Sequence, residues 1–188
     1  MDSPSAEPTD AETMTYLYDR MDPKLPGAIG AFMLNWNACE AVMTNILSHF
    51  MGSHVYAAAS GLSNKARTSL LRSYLDNSAA SEAASESVRN FVSRYNIITE
   101  TRNVIVHSMV FPSETGLLLT KRTDDRVTHY DISAEIINDH AKVALELFHN
   151  GTNIFEHLRN KTGRPIALPG KFPKASKLAP RSHQEGKT

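Results

Sequence analysis

Apolar side chains recur at three- and four-residue steps along several long stretches of this chain, and that period decides what it can fold into. Over 28–50 they are Ile29, Phe32, Met33, Trp36, Met43, Leu47 and Phe50. Over 80–106 they are Val88, Phe91, Val92, Tyr95 and Ile98. After Ser133 they are Ile136, Ile137, Ala144, Leu147, Phe148, Ile154, Phe155 and Leu158. A helix gathers such residues on one face and must bury that face against another. A shorter helix is expected from Ser63 or Asn64 to about Leu75. It carries few apolar residues (Leu70, Leu71, Leu75) and three cations, Lys65, Arg67 and Arg72. The fold class that follows is all-α, a bundle of four main helices.

A short N-terminal helix is expected within 11–22, capped by Thr9 or Asp10, before Pro23, Pro26 and Gly27 break the chain. Gly52 supplies a stop to the first long helix, and Gly151 is expected to kink the last one. Between the third and last main helices the period changes. Val110-Phe111, Leu117 to Thr120 and Val127 to Tyr130 alternate with turn residues, which predicts a β-hairpin or three-stranded flap over 109–131. The domain therefore spans 11–162. Residues 1–10 read as a disordered acidic N-terminus. Residues 163–188, with four prolines and six Lys or Arg against Glu185, read as a disordered basic tail.

At 188 residues, 41% of them apolar, the chain has enough material for one sizeable core. The formal net charge is zero, so any attraction for an anion has to be local. One cysteine, Cys39, excludes an internal disulfide and a cysteine-rich zinc site. No basic segment leads into an apolar run, and no apolar stretch is long enough for a bilayer, so a cytoplasmic protein without membrane partners is expected. No cofactor or metal is expected.

Chemistry is concentrated in Thr99-Glu100-Thr101-Arg102-Asn103-Val104-Ile105-Val106-His107-Ser108. Arg102 continues the buried series, four after Ile98, and should point inward or into a cleft. Asn103 and His107, four apart, share a helix face. Arg102 lies about 140° around the axis from His107, and its long side chain can curl toward the same anion. The β-branched run 104–106 weakens helix propensity, so the helix should end or loosen between Asn103 and His107. Glu40 sits on the apolar stripe of the first helix, four after Trp36, where a carboxylate is costly unless paired. An ion pair between Glu40 and Arg102 inside the bundle is one reading. Arginine for a phosphate, an amide donor and a titrating imidazole for metal-free RNA cleavage is the other, and the two are compatible.

Arg102-Asn103, three residues and His107 resemble the Arg-x(4–6)-His motif of HEPN domains, in its Arg-Asn-x-x-x-His form. The placement is similar too, near the end of the third main helix of an all-α bundle, with an inward acid, here Glu40, on a preceding helix. The likeness covers 28–158 in organisation and about six residues in motif. It implies a bundle that usually dimerises through the motif face. Many members are metal-independent endoribonucleases, often toxins or antiviral effectors, and others are non-catalytic modules for a nucleotide, RNA or protein partner. On this likeness Arg102, Asn103 and His107 are the catalytic candidates, with His107 as acid/base, Arg102 on the phosphate, Asn103 as orienting donor and Glu40 behind them. One histidine cannot both take and give the proton in one step, whereas two copies across a dimer axis can. A toxin would imply an antitoxin partner. Two departures stand out: Ser108 where glycine often follows the histidine, and the flap at 109–131.

Lys65, Arg67 and Arg72 are candidates for an RNA path, though a solvated face is the commoner use of such cations. His49 and His54 flank Gly52 without matching ligands nearby. His140 falls on the last helix's stripe and reads as a satisfied bundle histidine. Trp36, Phe32 and Phe50 at helical spacing read as core and not as a base-stacking platform. No nucleophile elbow and no glycine-rich phosphate loop is present.

Overall fold

A computed structural model describes residues 21–52, 56–77, 80–113, 116–123, 126–160 and 166–181. The elements are α1 (Leu25–Met51), α2 (Tyr56–Ser60), α3 (Asn64–Asp76), α4 (Glu82–His107), β1 (Met109–Ser113), β2 (Gly116–Thr123), β3 (Arg126–Ile132) and α5 (Ala134–Arg159). The helix expected within 11–22 falls outside the described residues, apart from Met21 and Asp22. So do residues 1–10 and His54.

Local chemistry sets the helix limits. Ser63, Ser81 and Ser133 cap α3, α4 and α5, each accepting a backbone N–H from the first turn. α1 carries Pro26 in its first turn, where the missing N–H has no helical acceptor to lose. It stops at Gly52, whose φ of 98° lies where side chains with a Cβ are strained. α4 ends at His107, at the far limit of the range expected for its end or loosening. The helix continues regularly to His107, and Ser108 turns extended to start β1.

The fold is mainly helical but not all-α. The flap is a three-stranded antiparallel sheet of order β1-β2-β3, with Val110 paired to Leu119 and Leu119 to Tyr130. Leu117, Leu119 and Ile132 point to one face and are buried in the helical core, so the sheet is part of the packed body. An all-α class underweights this face because the run Leu117 to Leu119 is too short to declare a buried side.

α1 lies along α5, and α4 packs against both. Two polar side chains fix the α1–α5 contact by donating to helix carbonyls: Asn35 Nδ2 to Ala141 O (2.9 Å) and Cys39 Sγ to Ala144 O (3.1 Å). Burial pushes the Cys39 thiol up to about 12, so it is an inert core residue.

α5 runs through Gly151 to Arg159. The glycine's role is close approach. A Cβ there would lie 2.6 Å from Phe91 Cε2 and 2.7 Å from Val42 Cγ1. Gly30 on α1 has nothing within 4 Å of the same position. Gly151→Ala is therefore expected to destabilise by about 1–2 kcal/mol net, overpacking outweighing the gain in helix propensity, and to lower Tm by roughly 2–8 °C. Gly30→Ala should raise stability by about 0.5–1 kcal/mol. Thermal melts of the two variants check the opposite signs.

His140 is buried on α5, edge-on to Phe32 at 6.3 Å between ring centroids. Burial lowers its pKa from the usual 6.5, opposed by the neighbouring Asp139 carboxylate. The unfolded chain then takes up this proton first. Stability is unaffected well above pH 6.5 and falls as pH drops below it, by up to about 1.4 kcal/mol per pH unit for one proton. His140→Gln is expected to flatten that part of the acid limb in denaturant titrations. Identical slopes for both proteins would exclude the assignment.

The composition of 163–188 predicts a disordered basic tail; 163–165 and 182–188 lie outside the described residues, and over 166–181 the structure differs. Residues 166–181 have no regular secondary structure but are anchored along the body. His157 Nδ1 donates to Ile166 O (2.7 Å), Asn150 Nδ2 to Lys171 O (3.2 Å) and Arg94 Nε to Pro173 O (3.0 Å). Leu178 is buried, and the Arg181 N–H reaches His129 O on β3 at 2.8 Å. Lys177 pairs with Glu100 and Arg181 with Asp131, both at solvated positions where such pairs contribute little. Phe172 and Leu178 supply the apolar burial that a count of prolines and lysines conceals.

Candidate functional site

The last turns of α4 carry the motif, and the adjoining face of α1 seats it. Tyr95, Thr99 and Arg102 fall on one side of α4. Tyr95 and Arg102 are seven residues apart, roughly 10 Å along the axis. The indole of Trp36 lies between them. Its ring stacks on Tyr95 (centroids 6.5 Å apart, 13° between planes), and the Arg102 guanidinium carbon stands 4.9 Å from it. Its Nε1 donates to Thr99 Oγ1 at 3.1 Å. Tyr95 stacks in turn on Phe91 and donates its hydroxyl proton to Asn64 Oδ1 on α3. Burial and the Glu40 carboxylate hold the Tyr95 phenol well above its ordinary pKa, so it stays protonated as that donor.

Arg102 is thus held by a ring face. Its Nη1 donates to Asn103 Oδ1 at 3.2 Å and lies 3.4 Å from His107 Nε2. The three residues meet as their spacing predicts. Arg102 and Asn103 are partly buried, and His107 is exposed. Arg102 has no ion pair among the described residues, and its Nε–H is buried without an acceptor. The hydroxyls of Thr101 and Ser108, the residues flanking this stretch, are also buried without partners.

Glu40 does not join Arg102. Its Oε1 accepts from Arg67 Nη2 at 2.5 Å, with side chains 29% and 6% exposed respectively. Arg67 Nη1 donates to Thr44 Oγ1 and Nε to Leu62 O, both at 3.0 Å. The reading of Glu40 as the acid behind Arg102 is corrected: it belongs to a tie between α1 and α3. Arg67 is corrected with it. It is buried, with an acceptor at each of its three nitrogens, so it lines no RNA path. Lys65 and Arg72 remain exposed on α3.

Ser108 stands where the HEPN resemblance expects glycine. Its backbone is extended (φ −100°, ψ 150°), a conformation open to any residue, so this chain needs no glycine there. The flap does not close over the histidine, which remains exposed at the end of α4. Among the described residues no three His, Cys, Asp or Glu side chains are grouped to hold a metal ion, and no helix is long and apolar enough to cross a membrane.

Sequence reading missed Trp36 as the seat of Arg102 and Thr99 as the group that orients it. The signal was present in part: Trp36 precedes Glu40 by one turn on the inward stripe of α1, and Thr99 and Arg102 lie three apart on α4. Which stripe faces which is a property of packing. Compared with protein-family models, with curated proteins and with solved structures, the chain matches none of them.

Proposed function

We propose that the chain is a HEPN-like, metal-independent endoribonuclease that works as a cytoplasmic homodimer with a composite site. The observation that carries this reading is the contrast between two inward arginines. Arg67 has an acceptor for every group it turns inward and a carboxylate to neutralise it. Arg102 pairs with no carboxylate among the described residues, lies beside an exposed histidine, and keeps an unmet donor.

The ribose 2′-hydroxyl would attack its own phosphate. His107 takes or supplies the proton, Arg102 stabilises charge on the phosphorane, and Asn103 orients Arg102 through its side-chain oxygen. The second proton transfer falls to His107 of a second copy. Lys65 and Arg72 would guide the RNA backbone. In this role the protein fits a toxin or defence effector, with an antitoxin as partner.

A second reading is a non-catalytic HEPN-like dimeric module for a nucleotide, RNA or protein partner. It is favoured by the apolar surface beside the motif, where Val106, Met109, Val110 and Phe111 are 44%, 65%, 44% and 42% exposed. Incubating purified protein with RNA in EDTA separates the two. Cleavage leaving 2′,3′-cyclic phosphate ends is expected. Intact RNA, or fragments ending in 3′-hydroxyls, would exclude the nuclease reading.

A further inference from the structure

We infer that Trp36 is the positioning residue of Arg102, and that the indole–guanidinium pair is a phosphodiester-binding unit whose occupancy the tryptophan itself reports. The inference rests on the proposed function for the use of Arg102 as an anion donor, and not for the cleavage step.

Three observations carry it. First, the indole is fixed: it is 4% exposed, stacked on Tyr95 and tied through Nε1 to Thr99. A ring so held is a rigid platform. Second, Arg102 rests on that ring while pairing with no acid among the described residues. A carboxylate would hold a guanidinium equally well but would neutralise it and fill the edge that an anion needs. A ring face holds it through the quadrupole and leaves the charge and the N–H edge for a ligand. Third, the other two arginines that lie over rings among the described residues differ. Arg94 over Phe172 is anchored to Pro173 O and to Asn90, and Arg159 over Phe155 sits on a ring that is only partly buried. Of these three, Arg102 alone combines a locked ring with the neighbouring polar groups of Asn103 and His107.

The ligand class is a phosphodiester backbone. The edge of a planar guanidinium matches paired phosphate oxygens, and Asn103 and His107 add polar groups within one helical turn. Lysine cannot replace this arginine, because an ammonium has no planar face to stack on the indole.

Trp36 is the sole tryptophan of the chain, so its emission is a site-specific probe. The test uses the full chain and a single-stranded oligodeoxynucleotide, which lacks the 2′-hydroxyl and binds without being cut. Titration is expected to shift Trp36 emission saturably, and Arg102→Gln to abolish the shift. By calorimetry, Trp36→Leu should bind about tenfold more weakly, the weight of a cation–π contact, while Trp36→Phe returns to within about threefold of wild type. Should Trp36→Leu not fold, Thr99→Val tests the same point: it removes the acceptor of Nε1 without touching Arg102, and should weaken binding with the emission maximum moved. Unchanged affinity in folded Trp36→Leu or in Thr99→Val overturns the inference. So does wild-type emission that ignores saturating oligonucleotide, or no oligonucleotide binding at all. RNA cleavage with any of these results would leave the nuclease reading standing. Binding with the expected emission change, but no cleavage in EDTA, would do the reverse.

Discussion

Arg102→Lys is expected to slow RNA cleavage by about 10²–10³ while the fold persists. Loss of one preorganised donor to a developing oxyanion typically has that effect. Lysine keeps the charge but gives up the stacked plane and the forked N–H edge. Little stability should go with it. The guanidinium leaves no carboxylate behind, only the face of Trp36 and the oxygen of Asn103. The expected cost is about 1 kcal/mol, a fall in Tm of roughly 2–4 °C. Single-turnover rates in EDTA beside a melt of each protein measure both quantities. A lysine variant that cuts at the wild-type rate would remove Arg102 from the mechanism.

Arg67→Met should do the opposite, with a large loss of stability. It strips the partner from Glu40, whose side chain is only 29% exposed, and opens the tie from α1 to α3. Breaking such a pair from one side costs about 3 kcal/mol, equivalent to roughly 6–12 °C in Tm. Adding Glu40→Gln to Arg67→Met should recover much of the loss, because the uncompensated carboxylate is gone. Denaturant titrations of the single and double variants measure the coupling. A loss under about 1 kcal/mol for Arg67→Met would mean that the pair is solvated enough to be dispensable.

These two arginines also show how far the sequence could be read. The long helices were legible because their stripes are dense: Val88, Phe91, Val92, Tyr95 and Ile98 are all fully buried. The cap at Ser133 and one of the two candidates for α3, Ser63 rather than Asn64, follow from local chemistry. The convergence of Arg102, Asn103 and His107 was legible as well, since it lies within two turns of one helix. Glu40 was recognisable as a charge needing a partner, but not which partner. Its arginine is 27 positions away, on a helix whose three cations look alike in sequence. Only the packing of α3 on α1 separates buried Arg67 from exposed Lys65 and Arg72. Trp36 was legible as core. Its second role needs Arg102 to arrive from 66 positions along the chain, which no periodicity encodes. The strap at 166–181 escaped because its apolar anchors are sparse among prolines and lysines.

The central claim is that the end of α4 presents a working acid–base group beside a reserved guanidinium. The measurement that tests it most directly is the cleavage rate of His107→Ala relative to wild type, on the same RNA, in EDTA. His107 is exposed, so its removal should leave Tm nearly unchanged. A fall in rate of about 10²–10⁴ with an unaltered melt is the predicted result. A His107→Ala protein that cuts RNA as fast as wild type would contradict the account.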